Sequence, residues 1–215
     1  MEYIHNTEQF QFHNTVVALG KFDGMHKGHQ LIFDELIQYK QLGYQAAVFS
    51  FDRPPLNMLK HKHMRVIYTT NEKIKLLARR GIDIYIEHPF TDEFSHLSPE
   101  DFVIKVLLEK TGMKVLVVGD DCGFGYKRQG NVELLERMSK EYDFKLIVIP
   151  KLELEGEIVS STRIRHLLSE GKVEEANRLM EDPFMICGSV VHGNHMGAEV
   201  LQMPTANQIP LEDKL

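Results

Sequence analysis

The sequence predicts a doubly wound α/β domain built on a parallel sheet, and three observations carry that prediction. Short apolar runs rich in β-formers recur along the chain, segments with helical spacing lie between them, and glycines, prolines and charges gather just after the runs. Strands that alternate with helices pair in parallel through crossover connections, which bring every strand's carboxyl end to the same edge. Ligands of such sheets bind beyond that edge, so the residues that follow each strand are the ones that matter for function.

The strand runs are residues 16–19, 46–51, 82–86, 115–118 and 144–149. A first helix is expected over 31–39, where Ile32, Leu36 and Tyr39 share one face and Gly43 follows at the stop. A second spans 72–80, with Ile74, Leu77 and Ala78 on one side and Gly81 beyond it. The third has the fullest start signal: Ser98 as cap, Pro99 in the first turn, and Glu100 and Asp101 at the positive end of the helix dipole. Phe102, Val103, Val106 and Leu107 supply its core face.

A chain of 215 residues with 43% hydrophobic content can bury one full core with a small appendage. Its net charge of −6 offers no general attraction to nucleic acid or anionic membranes. No apolar run approaches a membrane span, so no membrane partner is expected and a cytoplasmic location is. Cys122 and Cys187 stand far apart without a CxxC pair, which suggests neither a zinc site nor a disulfide framework and fits a reducing compartment.

After the first strand the chain reads Gly20-Lys21-Phe22-Asp23-Gly24-Met25-His26-Lys27-Gly28-His29 and enters a helix. Glycines allow sharp turns and close approach to a ligand, while a helix start offers unpaired N–H groups and a positive dipole end. That combination is an anion site. His26 and His29, three residues apart on the first turn, can lean toward one phosphate as hydrogen-bond donors. His5, His13, His61, His63 and His88 are read as surface or core histidines. A second phosphate element is Ser160-Ser161-Thr162-Arg163-Ile164-Arg165, which opens a later helix. Arg165, one turn beyond Ser161 and Thr162, can join them around a phosphate, whereas Arg163 is read as a solvated neighbour.

The HxGH pattern at His26 to His29 resembles the signature of the nucleotidyltransferase superfamily, and the longer GxFDGxHxGH from Gly20 to His29 resembles its flavin branch, the prokaryotic FAD synthetases. Residues 159–165 are similar to the ISSTxxR motif of the same superfamily, with Val159 at its first position. The resemblance implies a Rossmann-like nucleotidyltransferase fold and transfer of AMP from ATP to FMN, giving FAD and pyrophosphate. It implies that Gly20, Phe22, Asp23, Gly24, Gly28, Ser161 and Thr162 hold ATP, and that His26, His29 and Arg165 stabilise the reacting phosphates. Magnesium is expected to accompany ATP without an all-protein metal cage. Asp23 is its nearest carboxylate, or else serves to shape the loop.

For the acceptor, Phe51-Asp52-Arg53-Pro54-Pro55 resembles the family's FDPHP segment, with Arg53 and Pro54 as departures, so Pro54 and Pro55 are expected against the flavin. The run from Gly119 to Asn131 resembles the GxDFRFGxxRxG loop, with Cys122 and Gly123 replacing Phe and Arg. Asp121, Phe124 and Arg128 are the expected acceptor contacts there. Two other readings stay open: another acceptor, nicotinate mononucleotide or phosphopantetheine, and a non-catalytic flavin or nucleotide sensor. The resemblance divides the chain into an adenylyltransferase domain over 1–183 and the start of a riboflavin kinase domain over 184–215. Gly188, Val190, His192, Gly193 and Pro204-Thr205-Ala206-Asn207 resemble that domain's opening. The stretch after Phe184 is too short to close its β-barrel, so an incomplete β segment without kinase activity is expected.

Overall fold

Each of the five apolar runs forms a strand: β2 (Thr15–Leu19), β3 (Gln45–Phe51), β4 (Ile84–His88), β5 (Met113–Gly119) and β6 (Lys145–Ile149). They share one parallel sheet with β1 (Glu2–His5), which the mostly polar start of the chain did not announce. β1 is an edge strand on β4, and Tyr3 and Ile4 are only half-buried, so it needs no apolar run. The computed structural model describes residues 1–52, 65–191, 207–210 and 214–215; Arg53, Pro54, Pro55, His61, His63, His192, Gly193, Pro204, Thr205 and Ala206 lie outside them.

The strand order β1-β4-β3-β2-β5-β6 follows from the crossovers. From central β2 the chain winds outward through β3 and β4, then returns past β2 to place β5 and β6 on the other side. The reversal lies between β2 and β5, so the loops after Leu19 and Gly119 meet at the switch point. β2 is buried along its whole length: Val16 and Ala18 pack into one core layer, Val17 and Leu19 into the other.

Helix α1 (Lys27–Gln41) begins four residues before the predicted 31, capped by His26. Helix α2 (Thr70–Arg79) begins two before the predicted 72, because Thr69 and Glu72 form a reciprocal capping box. Ser98 caps α3 (Pro99–Asp101), its hydroxyl accepting from the Asp101 N–H at 3.0 Å. The chain then widens into π turns over Phe102–Leu108, with N–H bonds reaching back five residues from Glu109 to Ile104 and from Thr111 to Val106. The core face expected there, Phe102, Val103, Val106 and Leu107, is buried. Further on come α4 (Val132–Glu141), α5 (Ser161–Ser169) and α6 (Val173–Leu179). No helix of the described residues is long and apolar enough to cross a membrane. After Phe184 an exposed antiparallel pair follows, Gly188–Val191 with Asn207–Pro210.

Candidate active site

The loop between β2 and α1 turns without positive φ at its glycines. The left-handed conformations belong to Phe22 (φ 50°) and Met25 (φ 40°), which corrects the expectation that glycines make the turn. The glycines are clearances instead. A β-carbon at Gly20 would stand 2.8 Å from Phe22 Cζ, and one at Gly28 would stand 3.1 Å from His26 Nδ1. One at Gly24 would meet Ile67 at 3.2 Å and the Ser161 hydroxyl at 3.4 Å.

His26 caps α1: its Nδ1 accepts from the His29 N–H at 3.3 Å. An accepting Nδ1 puts the proton of the neutral ring on Nε2, so the cap fixes the tautomer that can donate outward. The His29 ring stacks on His26 with centroids 3.7 Å apart. Burial pulls the His26 pKa down from 6.5 to about 4, against a smaller upward pull from Asp121. Burial, and then the neighbouring His26, hold His29 well below its ordinary value as well. Both rings are therefore neutral near pH 7, and His29 Nδ1 is buried with no hydrogen-bond partner among the described residues.

Ser160, not Ser161 or Thr162, caps α5, its hydroxyl accepting from the Arg163 N–H at 3.2 Å. That leaves the next two hydroxyls on the first turn for other work. Ser161 Oγ accepts from the Gly24 N–H at 3.4 Å, joining the two sequence motifs across 137 residues. Thr162 is exposed beside it. Arg165 pairs with Asp23, whose other oxygen accepts from the Ile67 N–H at 3.1 Å. Arg163 is not a solvated neighbour: it pairs with Glu157 at 2.9 Å, and its Nη1 is buried without a partner among the described residues.

Lys21, which motif reading passed over, completes the charge at the switch point. Its ammonium is half-buried, and its pKa is lowered by that burial, raised by Asp23 and lowered again by Arg128 and Arg165. The loop after β5 turns back on itself through paired backbone bonds between Phe124 and Gly130, at 3.1 and 2.9 Å. Phe124 is only 5% exposed, its ring packed toward Phe102, so its role is to anchor this loop in the core. Cys122, where the loop motif has an aromatic residue, packs on the same core layer. Asp121 is exposed and pairs with Lys151 at 3.3 Å. Arg128 lies over Gly123, its Nη2 2.8 Å from where a β-carbon at 123 would stand. Pro54 and Pro55 lie outside the described residues. A shallow hollow at the opposite end of the sheet, lined by Tyr39, Tyr44, Asp143 and Lys145, has neither a glycine loop nor a helix start.

Comparison with known proteins places this geometry. The FAD synthetase family matches residues 8–163. The chain belongs to that family. Residues 180–215 match the riboflavin kinase family. A bifunctional riboflavin kinase/FMN adenylyltransferase of Buchnera aphidicola is 39% identical over 207 residues, which are 95% of this chain and 66% of the relative. One from Listeria monocytogenes is 35% identical over 99% of this chain and 69% of its own length. A second Listeria protein, named FAD synthetase, is 32% identical over 88% of this chain and 77% of its own length. A crystal structure described as a macrolide-efflux protein from Streptococcus pneumoniae superimposes with a TM-score of 0.85 at 30% identity, covering 99% of this chain and 70% of that one. The chain thus spans about 66% of the length of the first curated relatives it matches.

Within this FAD synthetase fold, His26, His29, Asp23, Ser161 and Arg165 converge from β2–α1 and α5, with Lys21 and Arg128 adding charge. Among the described residues no three His, Cys, Asp or Glu side chains form a metal cage. Both Asp23 oxygens are engaged, one by the Ile67 N–H and the other by Arg165.

Proposed function

We propose that this chain transfers AMP from ATP to FMN. An oxygen of the FMN phosphate attacks the α-phosphorus of ATP, the bond to the β-phosphate oxygen breaks, and pyrophosphate leaves with the electron pair, giving FAD. No protein nucleophile takes part, so catalysis rests on position and charge. The observation that carries the reading is the joining of two phosphate-binding helix starts through Gly24 and Ser161, beside two neutral histidines, of which His26 has its tautomer fixed by the cap. His26 and His29 donate to the α-phosphate and the departing pyrophosphate, Arg165 and Lys21 offset the triphosphate charge, and Gly20, Phe22, Asp23, Gly24, Gly28, Ser161 and Thr162 form the ATP surface.

On the acceptor side, Arg128 receives the FMN phosphate, Asp121 makes a polar contact, Phe124 holds their loop in place, and Pro54 and Pro55 face the flavin. Mg2+ enters with ATP on its phosphates. Residues 1–183 act as the adenylyltransferase domain and 184–215 as the opening of a riboflavin kinase-like domain, in a cytoplasmic protein. Support for these assignments is the family membership together with the motif positions.

Purified protein with ATP, Mg2+ and either FMN or riboflavin decides the matter, with FAD, FMN and pyrophosphate followed by chromatography. FAD from FMN and none from riboflavin is the expected result. FMN appearing from riboflavin would reveal kinase activity. Flavin or ATP binding without pyrophosphate release would overturn the reading in favour of a sensor, and turnover only with nicotinate mononucleotide or phosphopantetheine would change the acceptor.

A further inference from the structure

Lys214 is remote in sequence from every phosphate motif, yet its side chain is 2% exposed and is held on all sides. Its ammonium donates to Glu72 Oε2 at 2.8 Å and to the Ile67 carbonyl, and lies over the rings of Tyr68 and Phe184 at 5.0 and 4.3 Å. Glu72 is fully buried and accepts in addition from the Thr69 N–H at 2.9 Å and the Cys187 N–H at 2.7 Å. The next residue, Leu215, donates its N–H to the Val66 carbonyl at 3.0 Å. Val66 and Ile67, which follow Arg65, are therefore held along one side by Leu215 and Lys214.

Their other side faces the phosphate site. The Arg65 carbonyl accepts from Arg165 Nε at 3.4 Å, and the Ile67 N–H donates to Asp23, the carboxylate that pairs with Arg165. The same peptide segment that Lys214 fixes is thus the one that orients both partners of the Asp23–Arg165 pair. A buried ammonium with these partners admits little displacement, because any shift leaves a charge without compensation. Orientation of reacting groups is costly to lose: misplacement by about 1 Å can lower a rate on the order of a hundredfold.

We propose that Lys214 is a positioning residue for ATP handling, acting through the Ile67 peptide on Asp23 and Arg165. This couples the riboflavin kinase-like segment to the adenylyl-transfer centre, and it rests on the reading that Asp23 and Arg165 serve ATP.

The test measures two quantities on the full chain: turnover of FMN to FAD, and affinity for ATP with Mg2+ by calorimetry in the absence of FMN. Lys214→Met is expected to lower ATP affinity and kcat by about tenfold, and Lys214→Arg, which retains the charge and donors, to recover most of the loss. In an Asp23→Asn background, Lys214→Met is expected to add no more than about twofold, since both changes act on one pair. If Lys214→Met does not fold, as judged by circular dichroism, Lys214→Met with Glu72→Gln removes both buried charges together and keeps an amide acceptor at 72. A folded variant with unchanged ATP affinity and kcat, or losses that multiply with Asp23→Asn, overturns the proposal. Wild-type protein that binds ATP but makes no FAD sinks the acceptor reading alone, and the ATP affinities then still decide the role of Lys214.

Discussion

Replacing His26 with Asn separates its titration from its role as a cap. Asn is among the best N-caps, and its side-chain oxygen can accept from the residue 29 N–H as Nδ1 does. The folded protein binds a proton at His26 only near pH 4, whereas the unfolded chain binds one near 6.5. Stability is therefore lost as pH falls through that window, because the unfolded state takes up the proton first. For those two values the loss is about 2 kcal/mol at pH 5 and about 3 kcal/mol below pH 4. His29 changes in the same direction, since removing a like-charged neighbour relieves part of its own depression. Urea unfolding of both proteins by circular dichroism, at neutral pH and in steps down to about pH 5, gives the difference directly. His26→Asn should gain about 2 kcal/mol on wild type over that range, and parallel pH profiles would refute the burial of a neutral His26.

Three further outcomes are expected. Arg165→Ala should lower FAD formation on the order of 10²–10³-fold with the far-ultraviolet spectrum intact, and a loss under about fivefold would remove Arg165 from the charge-stabilising set. Gly125→Ala should destabilise the fold on the order of 3 kcal/mol, since φ is +69° there and the new β-carbon would stand 2.7 Å from the Pro99 backbone. Thermal unfolding reads this, and an unchanged midpoint would contradict the packing of the 121–128 loop on α3. Gly123→Ala meets only the flexible tip of Arg128, so it should leave the midpoint within about a degree while raising KM for FMN severalfold by displacing the guanidinium. An unchanged KM would detach Arg128 from the acceptor phosphate.

The fold was legible wherever a local pattern had to satisfy two buried faces. β2 through β5 are apolar runs because both sides of a doubly wound sheet are covered, β6 is an apolar run although it is a half-buried edge, and Ser98-Pro99 announced a helix start through capping chemistry alone. β1 was not legible, because an edge strand with half-buried residues needs no apolar signature. The Thr69–Glu72 box could have been read from its spacing, and it would have moved the start of α2 to its observed place. At the site, motif density singled out His26, His29 and Arg165, and the structure stacks the two histidines and pairs Arg165 with Asp23 of the same loop. What their neighbours do was not legible: the role of glycines as clearances depends on where Phe22, Ile67 and the His26 ring come to lie.

Charge shows most clearly why the remainder needed a structure. The chain carries a net charge of −6, which argues against polyanions as partners. Yet the switch point gathers Lys21, Arg128 and Arg165 around Asp23, with Asp23, Arg128 and Arg165 all close enough to act on Lys21. These residues are scattered over most of the sequence, and only the reversal of strand order between β2 and β5 brings them together. Asp23 neutralises Arg165 in advance and fixes its direction, so the pair adds orientation while Lys21 and Arg128 add net positive charge. The depressed pKa of Lys21 then has a functional sense. Burial beside other cations makes its charge costly in the free protein, and under the proposed function a triphosphate placed among them would relieve that cost.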